Sequence, residues 1–390
     1  APLFSIVIAL FNSEHTLGTT LASFDAQLLS QDKVEFIIVN DGSSDRSLEV
    51  ALSWGNGRSN TVILDKPHGG IASTRNAALR EARGKWITAV DPDDLISPRY
   101  LSEVATFLEC DSTDRLVLLS TRVMPTRDVD GRFSANHPLD GKFRSGNRMA
   151  SLLCEPGAFA IGATTFLRLA KVEDFGLQFD DRVSPTFEDG NFILRYLCHF
   201  EEPLVGLVAS AHYFYRRSSA GTSAVQSGWS QSTKYSHQVE YGYLGALQYA
   251  MERTHGVPDW MAHAICYDLM HYFKENLRFN SSSQWVSGDL GSNFLGLCRK
   301  IFERISVDQL RSLAVNAPSW SQLHALLLGL GALPAPGALL RSGRADDGRY
   351  EYVILQRVGS GPLRFERDGI GIDVRPNGVK NHVYFGETLA

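Results

Sequence analysis

The chain has few of the residues that staple small or secreted folds. Its 390 residues contain five cysteines, at 110, 154, 198, 266 and 298. They are widely spaced, odd in number and form no C-x-x-C pair, which excludes a disulfide scaffold and a zinc ribbon. Free, buried thiols in a reducing cytosol are the expectation. There is no surplus of positive charge: 38 Lys and Arg stand against 43 Asp and Glu, for a net charge of −5. A broad nucleic-acid-coating surface, which depends on phosphate neutralisation, is therefore not expected. Neither G-x-G-x-x-G nor G-x-x-x-x-G-K-[ST] occurs, so a dinucleotide fingerprint and a P-loop are both missing. An uninterrupted hydrophobic run is missing too. Residues 323–340 come nearest, but His324, Gly329, Gly331, Pro334, Pro336 and Gly337 break them. They read as helix followed by linker, with peripheral membrane contact left open. Ala1-Pro2-Leu3 enters a strand without a basic n-region, so no secretory leader is expected.

What is present is ordinary for a globular protein of more than one domain, with 44% apolar and 21% charged residues. The first hundred residues alternate between two periods. Residues 4–9 (FSIVIA), 34–39 (VEFIIV), 61–64 and 86–90 (WITAV) are short apolar runs of the buried parallel-strand kind. Between them lie helical patterns. One is capped near Asn12-Ser13 and carries Leu17, Leu21 and Phe24; another begins near Arg46 behind Ser44 or Asp45; a third holds Ala72, Asn76 and Leu79. This β-α-β-α order predicts an open α/β sheet with right-handed crossovers.

Residues 116–120, 204–208 and 212–215 continue the strands, and residues 125–146 read as a loop or hairpin. Helical spacing takes over from about 230 to 305. A Pro/Gly linker follows, and then short strands at 350–356, 363–366, 370–374 and 381–385 suggest a small β-sandwich or strand-rich cap. The expected domains are thus 1–225, 226–330 and 338–390.

Ligands of such sheets sit at the carboxyl ends of the strands. Asn12, the run from 40 to 45 and the run from 91 to 94 all follow a strand end, so residues up to eighty apart converge on one rim. Asp91 and Asp93, two apart, can reach one hard divalent cation completed by a substrate phosphate, or can form a solvated acidic turn. Asp41 can hydrogen-bond a base or ribose, or close an Asx-turn. With no glycine nest, a nucleotide here must be held by carboxylates and metal.

Five pieces in order, SIVIALFN (5–12), VNDGSSD (39–45), GGIASTRNAAL (69–79), GKWITAVDPDD (84–94) and FEDGNFILRYL (187–197), resemble the family 2 glycosyltransferases of GT-A fold. The family's Pro-x-Tyr-Asn is here Ala9-Leu10-Phe11-Asn12, which keeps the ring and loses a hydroxyl. The resemblance implies a role for each matching residue. Backbone at Ala9 to Phe11, with Asn12 and Asp41, would hold the uridine. Arg75 would lie near the base or diphosphate, and Asp91 near the ribose or metal-bound water. Asp93 would ligate Mn²⁺ or Mg²⁺, with His212 as a further ligand. Glu188 and Asp189 would be the acceptor-side acidic pair, Asp189 the base, and the two point different ways if they open a helix. Arg216, Arg217 and Ser218 would form a diphosphate lid.

More narrowly, VPDWMAHAICYDLMHYFKE (257–275) and the strand-rich tail are similar to the transferase units of wall-teichoic-acid and capsule-polymer enzymes. That likeness implies a UDP-sugar donor and a polyol-phosphate or polysaccharide acceptor. Lys142, Arg144 and Arg148 are available to such an anionic chain or simply form a solvated basic face. A metal-dependent, inverting, cytoplasmic transferase, with the inner face of the cell membrane and homo-oligomerisation left open, is the reading; a polymer-binding module on a degenerate transferase fold is its alternative. A nucleotidyltransferase would need a glycine- and lysine-rich first loop, and residues 9–18 supply only Gly18.

Overall fold

A computed structural model describes residues 1–111, 113–127, 137–217, 224–312, 326–331, 337–344, 350–356, 365–367, 370–372 and 383–389. The chain divides into two compact units, one of residues 1–228 and 248–256, the other of 229–247 and 257–390.

The first unit runs β1 (Phe4–Leu10), α1 (Leu17–Asp25), β2 (Val34–Asp41), α2 (Ser47–Gly55), β3 (Thr61–Lys66), α3 (Gly70–Glu81), β4 (Trp86–Ala89), β5 (Leu95–Ile96), α4 (Tyr100–Glu109), β6 (Leu116–Arg127), β7 (Arg148–Ser151), β8 (Thr165–Arg168), α5 (Leu169–Asp174), α6 (Glu188–Leu197), β9 (Leu204–Arg217) and α7 (Ala224–Gly228). The strands form one sheet in the order β3-β2-β1-β4-β8-β6-β9-β5, with β7 also on β9. β3, β2, β1 and β4 are mutually parallel, with Leu10 beside Asn40 and Val7 beside Ala89, so their C-terminal ends share one rim. The apolar runs of β1, β2 and β4 are continuous because both faces of these strands are covered, while β3 at the sheet edge stays half-buried. Phe4, Ile6, Ile8, Phe24, Phe36, Trp86, Tyr100 and Phe166 build the core. The Phe4 and Phe166 rings meet edge to face at 5.4 Å between centroids.

The structure differs from the sequence reading in several places. Residues 204–208 and 212–215 belong to one strand, β9, whose pairing with β6 resumes after a register shift that leaves 209–211 unpaired between Val208, opposite Thr121, and His212, opposite Arg122. The first helix starts at Leu17, with Thr16 rather than Asn12 or Ser13 at its N-cap. β5, β7 and β8 were not read; the two-residue β5 and four-residue β7 and β8 are too short to show an alternation. Cys198, Cys266 and Cys298 are buried, but Cys110 and Cys154 are exposed.

The second unit begins with α8 (Ser232–Tyr235), a π-helical segment (Gln238–Leu244) and α9 (Gly245–Arg253), whose residues from 248 belong to the first unit. α10 (Asp259–Asn276), α11 (Gly288–Phe302) and α12 (Val307–Ser312) follow. Tyr235, Tyr272, Phe273, Phe294 and Phe385 pack its aromatic core. The tail holds antiparallel pairs: β10 (Gly337–Arg344) with β11 (Tyr350–Gln356), β12 (Phe365–Arg367) with β13 (Ile370–Ile372), and β14 (Val383–Tyr384) with β15 (Glu387–Thr388). Among the described residues no helix is long and apolar enough to cross a membrane.

Gly84 shows how tightly the sheet entrance is packed. Its N–H donates to Ser5 Oγ at 2.8 Å, and a Cβ there would lie 2.6 Å from the Ser5 backbone nitrogen. Backbone cannot yield as a side chain can. Gly84→Ala is expected to cost about 1–3 kcal/mol, seen as a lower urea midpoint with an unchanged slope.

Candidate active site

The rim is assembled by loops that hold one another. After β1, Asn12 takes a left-handed backbone, φ +46°. Its N–H donates to Ser43 Oγ at 3.0 Å, and its Oδ1 accepts the Ser44 N–H at 2.9 Å. Ser13, Glu14, Asp45 and Ser47 add reciprocal bonds between the same two loops. Asn12 therefore staples the loop after β1 to the loop after β2. Neighbouring Phe11 is 46% exposed, and its ring lies 4.6 Å from that of His68. Ala9 pairs with Val39 inside the sheet.

Asp41 ends β2 and is nearly buried. Its Oδ1 accepts from Lys66 Nζ and, at 2.9 Å, from the Gly69 N–H. Its Oδ2 accepts the Gly70 N–H at 2.9 Å and lies 3.0 Å from His68 Nδ1. Burial pushes this carboxyl up, but the bonds from Lys66, Gly69 and Gly70 outweigh it and hold Asp41 below the usual range. Anchored at the start of α3, it has both oxygens engaged within the chain. A nucleotide reaching it must exchange with the Lys66 or His68 side chain.

One and a half turns along α3 stands Arg75, 5% exposed. It is not out in a nucleotide groove. Its Nη1 donates to Glu188 Oε1 at 2.5 Å, and its Nη2 lies 3.7 Å from Asp91 Oδ1. Asp189 also acts on it electrostatically. Three carboxylates thus lie around one guanidinium, and one buried positive charge does not neutralise three negative ones. Desolvation, with Asp189 and Asp91 adding to it against the pull of Arg75, pushes Glu188 up to about 7. Desolvation with Asp93 and Asp189 pushes Asp91 up to about 6, although its side chain keeps 40% of its surface.

Phe187, left-handed at φ +78°, turns the chain into α6. Its ring lies under Gly190, where a Cβ would meet it at 2.6 Å. This entry sends Glu188 inward to Arg75. Asp189 lines a cavity between the sheet and helices α3 and α6, with Val7, Thr88, Ala163, Phe179 and Ile193 among its walls. The two acids do point different ways. Across from Asp189 lies Gly162, φ +122°, where a Cβ would sit 3.7 Å from Asp189 Oδ2.

His212 is placed apart from this cluster. It sits beside Arg122 in the β6–β9 register, and Arg122 bonds Asp140. Side chains alternate along a strand, so it is Tyr213 that reaches the carboxylates: its hydroxyl accepts the Asp91 N–H at 3.2 Å. The metal expectation for His212 is not supported by this placement. The Arg216 guanidinium donates to Thr19 Oγ1 at 3.0 Å; the Arg217 side chain and Ser218 lie outside the described residues. Of the basic residues 142, 144 and 148, Lys142 donates to the Phe159 carbonyl at 2.5 Å and Arg148 pairs with Glu155.

Among the described residues no group of three or more His, Cys, Asp or Glu forms a metal cage. Mg²⁺ and Mn²⁺ need none: they take one or two carboxylates and complete their shell with phosphate and water. Asp91 and Asp93 offer such hard oxygens, in a cluster with surplus negative charge, so the donor set fits such an ion. Sequence reading missed Lys66, His68, Gly162 and Tyr213. Lys66 could have been found as the last residue of β3 on the same rim; Gly162 and Tyr213 depend on tertiary placement.

The raised pKa of Glu188 has a measurable consequence. Glu188 has a folded pKa above its unfolded value, so its protonated form is favoured by folding. That stability is present below about pH 4.5 and is lost as pH rises through about 7. In thermal melts without divalent cations, Glu188→Gln should show a flatter loss of Tm between pH 5 and 7.5 than the unsubstituted protein. Parallel profiles would refute the shift.

Comparison with known proteins agrees with this architecture. The glycosyl transferase family 2 model matches residues 5–168. Minor teichoic acid biosynthesis protein GgaA of Bacillus subtilis is 28% identical over 71% of this chain and 61% of its own length. GgaB of the same organism is 25% identical over 78% of this chain and 33% of its own. The chain thus spans about three-fifths and one-third of these curated relatives. Poly(ribitol-phosphate) beta-N-acetylglucosaminyltransferase TarS of Staphylococcus aureus is 24% identical over 54% of this chain and 35% of its own. The crystal structure of TarS 1–349 in complex with UDP-GlcNAc superposes with a TM-score of 0.65 at 16% identity, covering 92% of this chain and 98% of that one. Residues 5–168 thus match the family 2 glycosyltransferase model, and the chain shares the GT-A-like fold of TarS.

Proposed function

We propose that the protein is an inverting glycosyltransferase that moves a hexose or N-acetylhexosamine from a UDP-sugar to a hydroxyl of a teichoic-acid-like or capsule polymer. The observation that carries this reading is the division of labour at the start of α6. Glu188 is spent on Arg75, while Asp189 lines a cavity together with Thr88 and Ala89 at the end of β4. The relatives' names support the polymer and the UDP-sugar class. In this reading the enzyme works in the cytoplasm, at the inner face of the cell membrane.

In this reading, the acceptor hydroxyl attacks the anomeric carbon as the bond from that carbon to the diphosphate oxygen breaks. The hydroxyl proton passes to Asp189, and the electron pair leaves with UDP. Asp189 is the only base the reading assigns and no second carboxylate serves as nucleophile, so a single displacement inverts the anomeric centre. Arg75 keeps Glu188 from competing for the acceptor proton. Asp91 and Asp93 would hold a divalent cation, Mn²⁺ or Mg²⁺. That ion, when bound, supplies positive charge against the departing diphosphate.

Two outcomes test this. Asp189→Asn should lower turnover by about 10²–10⁴-fold with UDP-sugar affinity, measured by calorimetry, nearly unchanged. Near-normal turnover would remove Asp189 as the base. Asp93→Asn should abolish the gain in UDP affinity that Mn²⁺ confers on the unsubstituted protein. If the unsubstituted protein shows no such gain, the alternative of a polymer-binding module on a degenerate transferase fold is favoured.

A further inference from the structure

We infer that Asp94 is a positioning residue that latches the acidic loop to the outer end of β9 and so fixes where the carboxylates stand relative to Arg216. The inference rests on the proposed donor site at this rim, and it concerns a side chain that no step of the mechanism uses.

The latch follows from strand geometry. β5 is two residues long and pairs antiparallel with β9, Leu95 with Phe214 and Ile96 with Tyr213. Asp94 precedes β5, where the ladder ends. Its Oδ1 accepts the Arg216 N–H at 2.8 Å, so a side-chain oxygen supplies the next rung in place of a backbone carbonyl. This frees the backbone of 91–94 to turn, closed by the Asp94 N–H donating to the Asp91 carbonyl at 3.1 Å. The Tyr213 hydroxyl completes the joint: it bonds the Asp94 side chain and accepts the Asp91 N–H. From the other side Thr20 Oγ1 of α1 donates to the Pro92 carbonyl at 2.9 Å. The acidic turn is gripped at Asp91, Pro92 and Asp94 by elements distant in the chain.

Energetics argue against an incidental turn residue. Asp94 is 1% exposed. Burying a carboxylate is costly unless its bonds are made well, and a solvated acidic turn would leave it in water. The return on that burial is geometric. Asp91 and Asp93 come from one loop and Arg216 from a strand 122 residues beyond Asp94, and the rigid joint between them sets their spacing. Groups that must act together on one diphosphate lose much when the spacing drifts by an ångström.

The test compares Asp94→Ala, Asp94→Asn and Tyr213→Phe in the full chain, with two readouts. The first is amide hydrogen exchange at Arg216 without ligand. The second is UDP affinity in the presence of Mn²⁺. Asp94→Ala removes the acceptor and should speed Arg216 exchange and weaken UDP binding, each about tenfold or more. Asp94→Asn keeps a carbonyl oxygen on the Arg216 N–H and should stay within about threefold of the unsubstituted protein in both, a rescue that general destabilisation would not give. Equal exchange at Arg216 in Asp94→Ala and the unsubstituted protein would overturn the latch, as would equal damage from Asn and Ala. If Asp94→Ala does not fold, Tyr213→Phe decides: faster Arg216 exchange supports the joint and unchanged exchange overturns it. Failure of the unsubstituted protein to bind UDP would instead sink the proposed function, and the ligand-free exchange result would still judge the latch.

Discussion

Everything at the rim is arranged around one buried guanidinium. Arg75 ties α3 to the first turn of α6 through Glu188 and faces the loop after β4 through Asp91. It is the point at which three separate elements are made to agree. Its positive charge is also too little for its neighbours, which leaves the cluster short of cations. A site of that kind gains from a divalent ion and is penalised without one, whereas an exactly neutralised pair would have no such appetite. Under the proposed function, the charge count that strains the cluster is the same one a bound cation would relieve.

The loops around Arg75 are stiff for a reason visible in their bonds. Asn12 and Glu14 on one loop and Ser43, Asp45 and Ser47 on the next exchange hydrogen bonds in both directions. Asp41 adds a second tether, from the end of β2 to the N-terminus of α3. Short polar side chains at strand ends do here what a glycine nest does in phosphate-binding loops: they fix backbone without filling the groove. Phe11 and His68 are left as the exposed aromatic edge of that framework.

Much of this was legible in the chain. The apolar runs at β1, β2, β3 and β4 reported a parallel, doubly covered sheet, and the polar clusters that follow them had to meet because parallel strands end on one side. What could not be read depends on pairing rather than pattern. β8 sits antiparallel in mid-sheet as a four-residue strand. The facing of His212 and Tyr213 is set by the register of β9 against β5 and β6. A shift of one residue would exchange them, and nothing local in His212-Tyr213 selects between the two. Arg75 shows the same limit: an arginine on a helix near a strand end reads equally as a phosphate ligand or a counter-ion, and only Glu188, more than a hundred residues away, decides.

Gly162 deserves its place opposite Asp189 for what it withholds. With no side chain and a backbone angle that other residues adopt only under strain, it leaves the carboxylate an open window. Any bulkier neighbour there would shutter that window while every acid, arginine and loop stayed intact. Under the proposed function, lineages descended from such a chain would fall silent through one small exchange at a position that carries no charge of its own, and a count of surviving acidic motifs would still score them as competent.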